Sequence, residues 1–146
     1  MWYVFDNEGI STASDYPYTA ATGFCQADWG GAVQVSEVNP VKSYSQSALT
    51  AAIANGVTAV TIESASLAFR SYTGGVISDP SCGTSLDHAV AAVGYGTDAT
   101  TGLDYYLVRN SWGADWGDHG YVKIARVGDG YGICGIQEIS VWATTN

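Results

Sequence analysis

Downstream of Gly56, glycine cuts the chain into short runs rich in β-branched residues, each too short for a stable helix. Residues 57–63, 74–78, 89–95, 105–110, 120–127 and 139–142 read as strands. The run 89–95 is apolar on both faces, which predicts a strand in the middle of a sheet. The one clear helix lies just before these runs. Ser45 is suited to N-cap it and Gly56 to end it, with Ala48, Leu49, Ala52 and Ile53 on one face. One main helix and five or six non-repeating strands predict an α+β domain built on an antiparallel sheet or a partly closed barrel.

The first residues read differently. Trp2, Val4 and Phe5 look like the last apolar turn of a helix whose C-cap is Gly9. Residues 11–33 read as an aromatic loop, with Tyr16-Pro17-Tyr18, Phe24-Cys25 and Trp29-Gly30-Gly31. The texture turns to β-branched residues from Ala32 onward.

Charge and hydropathy exclude several classes. The 146 residues carry 5 Lys+Arg against 14 Asp+Glu, a formal net charge of −9. Such a chain repels phosphate backbones, so no nucleic-acid partner is expected. With 47% hydrophobic and 13% charged residues, it has the apolar supply for a packed core and is not of the disordered class. No apolar run approaches the ~20 residues that span a bilayer, so no membrane partner is expected. The N-terminus lacks the basic start and long apolar stretch of a secretory signal.

Three cysteines, Cys25, Cys82 and Cys134, are widely spaced with no Cys-x-x-Cys pair, which argues against zinc. No metal and no other cofactor is expected. Cys82 and Cys134 sit in Gly-rich, turn-like settings, where they could join two loops or remain buried thiols. In an oxidising compartment an odd count leaves one cysteine needing an outside partner.

The two histidines narrow the search for chemistry. His88 follows Asp87 at the entrance to the apolar run, where it could be structural or reactive. His119 sits between Asp118 and Gly120 and reads as an exposed loop residue. Asn110 ends a run in which Tyr106, Val108 and Asn110 share a face. It could be a turn residue, or it could orient an imidazole as a triad carboxylate does. Trp112 and Trp116 in the following Gly-rich loop could pack the loop or shield a polar pair from water.

Taken together, these segments resemble the papain-like cysteine proteases. Asp87-His88-Ala89-Val90-Ala91-Ala92-Val93-Gly94-Tyr95-Gly96 resembles the histidine segment of that family. Asn110-Ser111-Trp112-Gly113 with Trp116-Gly117 and Gly120-Tyr121 resembles its asparagine segment, and Tyr131-Gly132-Ile133-Cys134-Gly135 its C-terminal cysteine segment. Gly9-Ile10, Asp15-Tyr16-Pro17-Tyr18 and Cys25 resemble the stretch leading out of its helical domain. The motifs run in order along essentially the whole chain, most like the papain and cathepsin L type. The resemblance implies that residues 1–33 end the helical domain and residues 34–146 form the β-rich domain.

The resemblance also implies roles. His88 would be the catalytic histidine, Asn110 would hold its ring, and Trp112, with Trp116, would cover that hydrogen bond. Asp87 would offer its backbone carbonyl to the substrate peptide. Thr61, Leu86, Ala89 and Ile139 would line an apolar specificity pocket, or simply pack the core. Cys82 and Cys134 would form a disulfide, and Cys25 would pair with an upstream cysteine.

One departure matters. The nucleophilic cysteine of the family and the glutamine of its oxyanion hole lie in an N-terminal half that these residues do not match. There is no Gly-x-Ser-x-Gly elbow to supply a serine, and Ser85 has only its closeness to His88 in its favour. The expectation is the His/Asn-bearing C-terminal part of a cysteine endopeptidase, inactive as these residues alone. Its partners would be the segment or second chain carrying the nucleophile, a peptide or protein substrate, and a protein inhibitor or propeptide. The competing expectation is a catalytically inactive protease-like binding or structural module. Disulfide chemistry and acidity suit a lysosomal, vacuolar or secreted location.

Overall fold

The computed structural model describes residues 1–27 and 31–145, so the Trp29-Gly30 reading lies outside the described residues. It is mixed α+β, with seven strands and three short helices among the described residues. Two compact units are present, Met1–Asn39 with Ala143–Asn146, and Pro40–Trp142.

In the smaller unit, α1 spans Trp2–Asp6. The expected cap at Gly9 is corrected: the C-cap is Asn7, whose side-chain amide donates to the Tyr3 carbonyl at 2.6 Å. Glu8 takes the left-handed conformation (φ 59°), and the amides of Glu8 and Gly9 donate to the carbonyls of Phe5 and Val4. This is the Schellman closure, with Gly9 one position beyond the left-handed residue. Strand β1 (Val35–Pro40) lies beside the end of β7 (Ser140–Thr145), where the Ser36 and Thr144 hydroxyls meet at 3.0 Å.

The larger unit holds the sheet that positions the site. Helix α2 (Gln46–Asn55) starts where Ser45 Oγ accepts from the Ala48 amide and ends at Gly56, burying Leu49, Ala52 and Ile53. Ala48, expected on the same face, is only half-buried. The strands are β2 (Thr58–Ile62), β3 (Val76–Ile77), β4 (His88–Thr97), β5 (Asp104–Arg109) and β6 (Tyr121–Ala125). Their order, from the start of β7, is β7-β2-β4-β5-β6-β3. The doubly apolar run is indeed internal: β4 pairs antiparallel with both β2 and β5. Among the described pairings, β3 departs from the expected antiparallel pattern, running parallel to β6 through Val76↔Lys123 and Ile77↔Ile124. It precedes β4 and β5 in the chain, so the long connection that parallel pairing needs is supplied by the sheet itself.

Alternation decides which faces are buried. Thr58, Val60 and Ile62 of β2, Tyr106 and Val108 of β5, and Val122 and Ile124 of β6 turn inward and are essentially inaccessible. Cys82 and Cys134 are bonded, 52 residues apart in sequence. Closing a loop of that length stabilises a fold by about 4 kcal/mol on chain-entropy reasoning. One helix had no counterpart in the sequence reading: α3, the four residues Leu67–Arg70, capped by Ser66 Oγ accepting from the Phe69 amide at 3.3 Å. Four residues are too few to show a period.

Candidate active site

The entrance of β4 and the exit of β5 are neighbours in the sheet, and each ends in a polar side chain. His88 Nε2 and Asn110 Oδ1 stand 2.8 Å apart. Asn110 Oδ1 also accepts from the Ser111 amide at 2.7 Å, which marks that atom as the acceptor. Nε2 therefore carries a hydrogen and donates it, leaving Nδ1 for proton exchange with a reacting group. Asn110 is 8% exposed and continues the inward face of Tyr106 and Val108. Its own amide donates to the Gly120 carbonyl at 2.9 Å, which ties the strand end to the Gly-rich loop.

An aromatic wall stands beside this pair. Trp112 is stacked on the His88 ring, 5.2 Å between centroids and 29° between planes. Trp116 meets Trp112 edge-on at 5.4 Å, and its Nε1 donates to the Arg70 carbonyl at 3.1 Å. Phe69, fully buried, contacts His88 at 6.4 Å, Trp112 at 5.5 Å and Trp116 at 4.9 Å. The sequence reading missed Phe69. Its only local signal is the Ser66 cap, because α3 reaches the site through tertiary packing. The Trp112 ring covers one face of the imidazole.

Asp87 hangs at the other side of the histidine. Its amide donates to the Ile62 carbonyl at 3.0 Å, and its carboxylate accepts from the Ser64 amide at 2.7 Å. The bonds from Ser64 hold the Asp87 carboxyl below the usual carboxylate range. Of Thr61, Leu86, Ala89 and Ile139, three are linked directly. Thr61 faces Ala89 across the β2–β4 ladder, and both its amide and its hydroxyl donate to the Ile139 carbonyl at 3.1 Å. Leu86 lies over Gly135, where a Cβ would stand 2.7 Å from Leu86 Cδ2. Leu86 is half-buried and Ile139 exposed, so these side chains border open surface instead of filling the core.

His119 lines the same open surface pocket as Asn110 and Ser111, with no hydrogen bond to either among the described residues. It is exposed and pairs only with Asp118, 3.5 Å away. Cys25 is exposed and unbonded, its Sγ 3.9 Å from the Tyr3 hydroxyl. Among the described residues no group of three His, Cys, Asp or Glu side chains could hold a metal ion.

The family profile described as papain family cysteine protease matches residues 1–144. The chain belongs to the papain family. Papaya proteinase 4 of Carica papaya is 41% identical over 149 aligned positions, covering 100% of this chain and 42% of that protein. Among solved structures, the inhibitor-bound bromelain protease of Ananas comosus superimposes with a TM-score of 0.89 at 36% identity, covering 99% of this chain and 67% of that one. The proform of the ragweed pollen allergen cysteine protease Amb a 11 gives 0.89 at 30% identity, covering 99% and 44%. The chain thus spans about two-fifths of the papaya relative and corresponds to the C-terminal portion of a papain-family protease. With cysteine-type peptidases as its relatives, the papain-family chain carries the β-rich sheet and the His88–Asn110 pair described above.

Proposed function

We propose that this chain supplies the histidine half of a cysteine peptidase active site. The observation that carries the reading is the 2.8 Å bond from His88 Nε2 to Asn110 Oδ1 under the Trp112 ring. It fixes the tautomer and leaves Nδ1 to serve a sulfur nucleophile. In the complete enzyme a cysteine thiolate, paired with the His88 imidazolium, attacks the scissile carbonyl. The imidazolium Nδ1–H then protonates the leaving amine as the C–N bond breaks, leaving an acyl-thioester. Neutral Nδ1 next takes a proton from water, whose oxygen attacks the thioester carbonyl. The tetrahedral intermediate then collapses: the C–S bond breaks, the thiolate leaves, the acid is released, and the proton stays on the imidazole, which restores the ion pair.

The nucleophile and the oxyanion glutamine belong to a preceding segment or a second chain, so these residues alone do not cleave peptides. Residues 1–33 close the helical domain of that enzyme, and residues 34–146 make its β-rich domain. Asp87 presents its carbonyl to the substrate backbone. Thr61, Leu86, Ala89 and Ile139 form an apolar subsite for a bulky aliphatic or aromatic side chain two positions from the scissile bond. Cys25 pairs with a cysteine of the helical domain. The partners are a peptide or protein substrate and a protein inhibitor or propeptide, the location is lysosomal, vacuolar or secreted, and no cofactor takes part.

The test is an epoxide-type irreversible cysteine-protease probe applied to the complete protein, followed by peptide mass spectrometry. Label on a cysteine outside residues 1–146 supports the reading. Absence of label, with a residue other than cysteine at the nucleophile position, overturns it in favour of an inactive binding module. Label on Cys25 would overturn its role as a disulfide partner.

A further inference from the structure

Leu86 sits in a segment with no regular structure: residues 83–87 lie between the 3₁₀ turn Pro80–Cys82 and β4. Such a segment has no strand ladder to fix it. Two carboxylates do so instead. Ser85 donates its amide to Glu63 Oε2 at 2.6 Å, and Ser64 donates its amide to Asp87 Oδ1 at 2.7 Å. Glu63 and Ser64 are consecutive, just past the end of β2, so one dipeptide grips the loop at both ends. The Glu63 amide in turn donates to the Cys134 carbonyl at 2.9 Å, beside the Cys82–Cys134 bond. Glu63 also lies directly over Gly83 (φ 82°), where any Cβ would collide with its carboxylate.

We infer that Glu63 is a positioning residue for the apolar subsite: by holding the Ser85 amide it fixes Leu86 over Gly135. This rests on the peptidase reading above. Ser85 is exposed, so without Glu63 its amide would be satisfied by water, which leaves it no fixed place. An amide bonded to a carboxylate is among the stronger hydrogen bonds a loop can have. Asp87 keeps the far end in place and His88 stays on β4. Loss of Glu63 therefore frees Leu86 without freeing the imidazole.

The experiment uses the complete enzyme as wild type, Glu63→Ala and Glu63→Gln. Two peptide substrates differ only in having leucine or alanine two positions before the scissile bond. For Glu63→Ala, kcat/KM on the leucine substrate should fall about tenfold, mostly in KM, with the alanine substrate little changed. Glu63→Gln keeps an oxygen acceptor and should recover most of the loss. In parallel, exchange of the Ser85 amide should quicken about tenfold in Glu63→Ala and stay slow in Glu63→Gln. If Glu63→Ala does not fold, Glu63→Met keeps the cover over Gly83 without an oxygen. Equal losses on both substrates, or unchanged Ser85 exchange, would overturn the inference. A wild type that neither cleaves peptide nor takes up the epoxide defeats the peptidase reading, whereas the exchange result judges the clasp separately.

Discussion

The ring of Phe69 meets the edge of Trp112 at 5.5 Å and 83°, and Trp112 carries that contact on to His88 by stacking. A four-residue helix thereby braces the candidate catalytic ring from inside the core. Phe69→Ala should destabilise the fold by about 3–5 kcal/mol, the usual cost of removing a buried aromatic ring. In the complete enzyme, the same variant should lower kcat more than it raises KM. Thermal unfolding and steady-state kinetics measure the two effects.

Removing the imidazole tests the reaction itself. His88→Ala should lower kcat by about two to four orders of magnitude, the scale of general acid–base catalysis, with little change in melting temperature. Asn110→Ala should cost less, because it frees the ring without removing it. An active His88→Ala variant would be incompatible with the reaction sequence above.

Trp112→Ala opens the His88–Asn110 bond to water. The expected outcome is a lower kcat with KM nearly unchanged, read by steady-state kinetics. A kcat identical to wild type would mean that the stacking is only packing.

Lys123 lies 3.0 Å from Asp98 and holds its carboxyl down to about 2, with the Thr101 amide and hydroxyl helping. The folded form therefore binds this proton less readily than the unfolded chain, whose carboxyl titrates near 4. The stabilisation is present above about pH 4 and is lost as pH falls toward about 2. Asp98→Asn should melt below wild type at pH 5, and the gap should close as the pH drops through that window. Thermal melts of both proteins across pH 2–5 measure it.

Reduction of the Cys82–Cys134 bond should cost about 4 kcal/mol. The loop carrying Ser85 and Leu86 should loosen first, because Cys134 also holds Glu63 through its carbonyl. Denaturant unfolding with and without reductant gives the first quantity, and amide exchange gives the second.

Most of the sheet was legible in the chain. The glycine-bounded runs became β2 to β7, and the doubly apolar run became the internal strand β4, in which Val90 and Ala92 are buried while Ala89 and Tyr95 are exposed. Tyr106, Val108 and Asn110 were readable as one face from the two-residue period alone. Gly9 was misread because a glycine near a helix end looks like a cap, whereas Glu8 takes the left-handed conformation while its own amide and that of Gly9 find carbonyls.

The sequence by itself determined which side chains could do chemistry. Residue type and strand period put His88 at the start of one run and Asn110 at the end of the next, and the family resemblance implied that the two work together. Tertiary structure alone decided what surrounds them. Phe69 and Glu63 lie 19 and 25 residues before His88 in the chain. Each reaches the site through packing or a single hydrogen bond that leaves no periodic trace. Periodicity records which face of an element is buried, but a contact between two distant elements is written only in the path the chain takes to bring them together.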